Sequence, residues 1–266
     1  MKLAANLSML YAELPFLDRF AAAAADGFTA VEIQFPYDTP AQVIRQTLDD
    51  NGQICVLINV PAGDLMQGGE GLACVPGKES EFSDALTLCQ QYVDVLCPEK
   101  VNVLAGRCFQ PERRQEYYSV FLDNLRRASE VLTPMGVSVT FEAINTQDMP
   151  GFLISTVMEM AQVLQDLPGV AISMQFDIYH MAMMGEALEQ SLTRHITDIG
   201  HIQFADVPGR HEPGTGQLDF ARIFGCLKAL GYKGWLAAEY RSSLPSTHDG
   251  MAWKSEQIEL AAARRL

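Results

Sequence analysis

Short apolar runs rich in β-branched residues recur along the chain at intervals of roughly 25–40 residues, each followed by a stretch with helical spacing. They predict strands at Lys2–Asn6, Ala30–Phe35, Ile54–Asn59, Lys100–Ala105, Val137–Glu142, Ala171–Asp177, His201–Asp206 and Gly234–Glu239. Between and after them, helices are predicted at Pro15–Asp26, Pro40–Asn51, Glu79–Leu96, Pro111–Met135, Ser155–Leu167, Glu186–Ile199, Asp219–Leu230 and Met251–Arg265. Gly52 and Gly136 follow two of these helices as C-terminal stops. Eight strand–helix alternations, with no linker rich in Pro, Gly or Ser between halves, point to the α/β class and a single (β/α)8 TIM barrel over residues 1–266. Typical barrels of this kind need about 250 residues. A doubly wound open sheet would want a glycine-rich dinucleotide turn after the first strand, where this chain reads Asn6-Leu7-Ser8-Met9. The segment from Gly71 to Gly77-Lys78 fails as a P-loop, because its gap is five residues and Glu79 replaces the hydroxyl residue.

Composition narrows the functional classes. Hydrophobic residues make up 48% and charged residues 20%, which excludes disordered and collagenous chains. Lys plus Arg number 19 against 33 for Asp plus Glu, a formal charge of −14. Such a chain repels phosphate backbones and anionic headgroups, so neither nucleic acid nor a membrane surface is an expected partner. No apolar run reaches the ~18 residues a membrane span needs. The six cysteines show no C-x-x-C pairing, as reduced structural thiols of a cytoplasmic protein would. The Met181–Met184 cluster is equally compatible with core or with a homo-oligomer interface.

Barrel enzymes place their chemistry at the C-terminal ends of the strands. Here those ends are acidic or amidic: Glu32 on strand two, Glu142 on five, Asp177 on six, Gln203 on seven and Glu239 on eight. Spacings of 35, 26 and 36 residues separate Glu142, Asp177, Gln203 and Glu239, about one strand–helix unit each, so the four converge on one mouth. A single strand-end acid reads most simply as a helix cap. Four in succession require more, since three partly buried carboxylates repel one another and are driven toward protonation. A divalent cation removes the conflict, and three carboxylates plus an amide carbonyl suit Mg2+ or Mn2+ better than zinc. His180 follows Asp177 by three residues, and the Asp206–Gly216 loop is polar and punctuated by glycine and proline.

The segments Asn6-Leu7-Ser8-Met9-Leu10, Phe35-Pro36-Tyr37-Asp38, Pro61-Ala62-Gly63-Asp64, Pro76-Gly77-Lys78-Glu79, Glu142-Ala143-Ile144-Asn145, Phe176-Asp177-Ile178-Tyr179-His180-Met181 and His211-Glu212-Pro213-Gly214-Thr215-Gly216 resemble the hydroxypyruvate isomerase family of xylose-isomerase-like barrels. The resemblance runs from Asn6 to Trp253. It implies isomerisation of hydroxypyruvate to tartronate semialdehyde, with Glu142, Asp177, Gln203 and Glu239 as metal ligands. A sister group resembles 2-oxo-tetronate isomerases, which makes a four-carbon sugar acid the alternative substrate. Gln217 and Arg241-Ser242 depart from the family's usual acid and Lys-Pro at those positions.

The chemistry expected is an aldose–ketose-type shift. Glu142 and Glu239 would move protons between neighbouring carbons, and His180 would polarise the carbonyl or steady the enediolate. A small anionic 2-oxo or hydroxy acid approaching a chain of charge −14 needs cations, and Arg107, Arg210, His211 and Arg241 follow strands four, seven and eight. A zinc nuclease would need more histidines at the strand ends than this chain has. A non-catalytic sugar-acid-binding barrel differs from the isomerase only in failing to exchange substrate protons.

Overall fold

The structure, a computed structural model, describes residues 1–255. Eight parallel strands close into a barrel in sequence order: β1 (Lys2–Asn6), β2 (Ala30–Ile33), β3 (Ile54–Asn59), β4 (Lys100–Val103), β5 (Ser138–Glu142), β6 (Ile172–Asp177), β7 (Ile199–Phe204) and β8 (Trp235–Ala238). Closure pairs Lys2 through Ala5 with Trp235 through Ala238. The surrounding helices are α1 (Asp18–Ala25), α2 (Ala41–Asp50), α3 (Glu79–Leu96), α4 (Arg114–Leu132), α5 (Val157–Asp166), α6 (Ile178–Met183), α7 (Leu188–His195) and α8 (Phe220–Ala229). No described helix is long and apolar enough to cross a membrane.

Strand periodicity decides what faces where, because alternate side chains point to opposite sides of the sheet. Phe141, Phe176 and Phe204 point outward and are fully buried beneath the helices. Phe204, for example, meets the edges of Phe220, Phe224 and Trp253 at 5.3–5.9 Å. The helices answer with apolar stripes, such as Ala41, Ile44 and Leu48 on α2 and Phe121, Leu125, Ala128 and Leu132 on α4. Each buried phenylalanine contributes about 1.5–3 kcal/mol of transfer free energy to this layer. The alternate residues face inward. Ala4, Ala30, Val56, Leu57, Trp235 and Ala237 form a small separate apolar cluster at the barrel floor. Two residues further along the same strands stand Asn6, Glu32 and Glu239, so a polar layer sits directly on that floor.

Differences from the pattern-based reading cluster at strand ends. Strand β2 stops at Ile33 because the next amide, Gln34 N–H, donates to Ser8 Oγ (2.9 Å) and leaves the ladder. Strand β7 starts two residues early and ends before Asp206, whose carboxylate organises the following loop. Helix α6 has no counterpart in the sequence pattern. The Asp177 carboxylate accepts from Tyr179 N–H (2.8 Å) and starts a one-and-a-half-turn helix too short to show a period. Met181 on α6 belongs to the core. The helix predicted over Met251–Arg265 lies mostly beyond residue 255, outside the described residues.

Candidate active site

At the C-terminal mouth of the barrel lies a cavity of about 490 Å³, lined among others by Glu142, Gln175, His180, Gln203, Arg210 and Glu239. Its floor is a continuous network of buried side chains. Glu142 Oε2 accepts from Asn102 Nδ2 (3.2 Å) and Gln175 Nε2 (2.9 Å). Gln175 Nε2 also donates to Gln203 Oε1 (2.7 Å), and Gln203 Nε2 donates to Glu32 Oε2 (2.9 Å) and to Glu239. Asn6 Nδ2 bridges Glu32 and Glu239, at 3.0 Å to each. His201 Nε2 closes the network against Glu32.

Above this floor one cation meets the acids. The Arg210 guanidinium donates to Glu239 Oε1 (2.6 Å) and Asp177 Oδ2 (3.3 Å), with its Cζ 4.7 Å from the centroid of the Tyr179 ring. Glu239 Oε1 accepts also from Gln34 Nε2 (3.1 Å). His180 Nε2 lies 3.5 Å from Asp177 Oδ2 and 3.8 Å from Glu142 Oε1.

Arg210 reaches the mouth from the β7–α8 loop, where its own backbone is left-handed (φ +54°). One buried carboxylate holds that loop. Asp206 Oδ1 accepts from Val207 N–H (2.8 Å) and Leu218 N–H (3.0 Å), and Oδ2 from Gly214 N–H and Gly216 N–H (2.9 Å each). A Cβ at Gly216 would stand 2.1 Å from Val207 O, so only glycine permits this approach. Glu212 then ties the loop to its neighbour by accepting from Ser243 N–H (2.9 Å) and Ser243 Oγ (2.5 Å).

The electrostatics follow from burial. Desolvation, then the charges of Glu239 and Asp177, push the Glu142 carboxyl well above the usual carboxylate range. Desolvation also raises Asp177, and it lifts Glu239 to about 8 despite the nearby Arg210. Burial, then the positive charge of Arg210, holds His180 well below the usual imidazole value. Burial works against charge on Arg210 as well, but Glu239, Asp177 and Glu142 outweigh it. One guanidinium therefore does not balance the acids around it. Among the described residues, Glu142, Asp177 and His180 form a group whose ligand atoms all lie within 4.8 Å of one another and could hold a metal ion. The oxygen-rich donors and the uncompensated negative charge fit a hard divalent cation.

A family profile described as a xylose isomerase-like TIM barrel matches residues 20–259. The chain belongs to this family. Over 252 residues it is 40% identical to the 2-oxo-tetronate isomerase of Cupriavidus necator, covering 95% of this chain and 96% of that protein. Over 253 residues it is 35% identical to the hydroxypyruvate isomerase of Escherichia coli, covering 95% and 98%. It superimposes on a crystal structure of AP endonuclease, family 2 from Brucella melitensis with a TM-score of 0.92, at 34% identity, covering 96% of this chain and 99% of that one.

In this xylose isomerase-like barrel, Glu142, Asp177, Gln203 and Glu239 meet at the mouth from successive strand ends, and His180 from α6 and Arg210 from the β7–α8 loop join them in one network. Glu239 and Gln203 stand beside the Glu142–Asp177–His180 group, Glu239 held by Arg210 and the Gln203 carbonyl by Gln175. Arg107 and exposed Arg241 line the outer cavity, with Arg107 Nη1 3.4 Å from Gly68 O. His211 is not among the cavity-lining residues: its Nδ1–H donates to Arg241 O (2.7 Å), which makes it a brace between the last two loops. Gln175, Asn6 and Asn102 escaped the sequence reading. The signal was present, since Gln175 and Asn102 occupy inward positions of β6 and β4, and Gln175 stands two residues before Asp177.

Proposed function

We propose that this barrel is an isomerase interconverting hydroxypyruvate and tartronate semialdehyde by proton transfer through an enediolate. The observation that carries the reading is the pair of buried carboxylates, Glu142 and Glu239, facing one cavity with elevated pKa values and a guanidinium beside them. Without a cation, burial holds the Glu239 carboxyl near 8; a bound cation would draw it down toward the ionised form that a base needs at neutral pH. In the forward direction one glutamate takes a proton from C3, the hydroxyl-bearing carbon. The electron pair forms the C2–C3 double bond of the enediolate, a hydroxyl proton passes from O3 to O2, and the second glutamate returns a proton at C2. Arg210 supplies the fixed positive charge that receives the substrate carboxylate, helped at the rim by Arg241 and Arg107. His180, buried and neutral, faces the reacting oxygens as a hydrogen-bonding group.

Glu142, Asp177, Gln203 and Glu239 would hold a divalent cation, Mg2+ or Mn2+, which supplies Lewis-acid stabilisation of negative charge developing on substrate oxygens. A cytoplasmic setting goes with this metabolic reading and with the unpaired thiols.

A second reading, isomerisation of a four-carbon 2-oxo acid, is favoured by the 40% identity to the Cupriavidus necator enzyme. A nuclease is disfavoured despite the Brucella melitensis likeness: the chain carries −14 charges, and His180 is the one histidine among the described residues that lines the cavity. The deciding experiment is solvent deuterium incorporation into hydroxypyruvate and into its four-carbon homologues, with and without EDTA. Exchange with net isomerisation supports the proposal, and the better substrate selects the chain length. Binding without exchange would leave a non-catalytic barrel, and turnover that survives complete chelation would remove the cation from the scheme.

A further inference from the structure

Asn145 lies in the loop after β5, three residues beyond Glu142, and all four of its side-chain hydrogen-bonding positions are used. Its Oδ1 accepts from Gln147 N–H (3.0 Å) and Asp148 N–H (2.8 Å). Backbone amides only donate, so this end of the side chain must be the oxygen. Its Nδ2 faces Asp148 Oδ2 (3.0 Å) and His180 Nδ1 (2.8 Å). Turning the amide over would aim an oxygen at the Asp148 carboxylate and an NH2 at two N–H groups. The orientation of Asn145 is therefore fixed by three partners other than the histidine.

That orientation decides the histidine. An Nδ2–H pointed at His180 Nδ1 needs a lone pair there, and both the imidazolium and the Nδ1–H tautomer would set N–H against N–H. We propose that Asn145 is a positioning residue that locks His180 in the Nε2–H tautomer, making His180 a hydrogen-bond donor to the reacting substrate oxygen and excluding it from the metal's ligands. The Nε2–H then projects into the cavity between Asp177 (3.5 Å) and Glu142 (3.8 Å). A metal ligand would need the lone pair at this same nitrogen, so proximity alone misassigns His180 to the ion-binding group. Asp148 extends the arrangement: its Oδ2 accepts also from Tyr179 Oη (2.8 Å), whose ring carries the Arg210 guanidinium. One loop after β5 thus orients the neutral donor and steadies the cation.

The inference rests on the isomerase reading only for the role of the donor; the tautomer stands on geometry. It is tested first by 15N NMR of the Mg2+-loaded protein labelled at histidine, with His180 assigned by its loss in H180Q. The expected spectrum shows a pyridine-type Nδ1 and a pyrrole-type Nε2 for His180. A pyrrole-type Nδ1 would overturn the proposal whether or not the protein turns over any substrate.

The second test is Asn145→Asp, which keeps the shape but puts an acceptor opposite Nδ1. Its companion N145D/D148N restores the local charge, so that folding is retained. Both variants should convert Nδ1 to the pyrrole type and lower kcat about a hundredfold, the cost of misdirecting one donor to a developing oxyanion, while KM stays within about threefold. Wild-type kcat in a folded N145D/D148N whose Nδ1 has become protonated would refute the role assigned to the tautomer.

Discussion

Replacing Asp206 by Asn removes one negative charge and one acceptor while keeping the shape of a buried side chain. Its two oxygens serve four backbone N–H groups, two each. The amide retains one oxygen, so two of the four donors face an NH2 group. Each hydrogen bond to a charged acceptor is worth about 1.5–3 kcal/mol, so losing two puts about 3–6 kcal/mol of strain into one loop. A surface loop relieves such strain by opening locally rather than by unfolding the domain. Arg210, four residues past Asp206, is the group displaced when it opens. The expected result for D206N is accelerated amide exchange at Val207, Gly214, Gly216 and Leu218, together with a fall in kcat/KM of about a hundredfold from misplacement of a positioning group. Unchanged exchange at these amides with wild-type kcat/KM would show that the carboxylate does not hold the loop.

R210M should raise KM for carboxylate substrates at least tenfold and lower kcat as well, because Glu239 and Asp177 lose their shared partner; R241M, at the exposed rim, should raise KM by only a few-fold in the same steady-state assay. In protein freed of divalent ions, thermal stability should fall as pH rises from 6.5 to 8. Glu142 and Glu239, both raised by burial, hold protons in the folded state that the unfolded chain has already released, and the Glu239 contribution is lost as pH climbs through about 8. His180, shifted the other way, adds only a small opposing slope at the bottom of this window, where the unfolded imidazole is still partly protonated. Saturating Mn2+ should flatten the slope in scanning calorimetry, and a pH-independent melting temperature without metal would contradict the assignment. F176A should lose about 3–5 kcal/mol in chemical denaturation, because the ring is fully buried between β6 and the helices.

The barrel was legible because its signal repeats eight times: each β-branched run is buried on both sides, so its period and its flanking helix agree. The acids at the ends of β5, β6 and β8 were legible for the same reason, since a strand-end position translates directly into a place at the mouth. What was not legible depends on contacts between segments distant in sequence. Nothing in the string Gly209-Arg210-His211 tells which of the two side chains turns inward; the Asp206 carboxylate and Gly216 decide it by folding the loop over itself. Nor does the Glu142-Ala143-Ile144-Asn145 segment announce a contact with His180, 35 residues on. Gln175 is readable from its inward position one pleat below Asp177, although it stands away from the strand end itself.

The alternation of Phe141 with Glu142, of Phe176 with Gln175 and Asp177, and of Phe204 with Gln203 gives β5, β6 and β7 two independent vocabularies. Along these three strands, the residue that packs against the helices and the residue that joins the buried polar network are immediate neighbours in sequence yet never compete for the same space. A mutation at an inward position edits the reaction without reaching the packing against the helices, and an outward one tests stability without touching the cavity. An architecture of this kind lets the cavity lining change while the packed layer is kept.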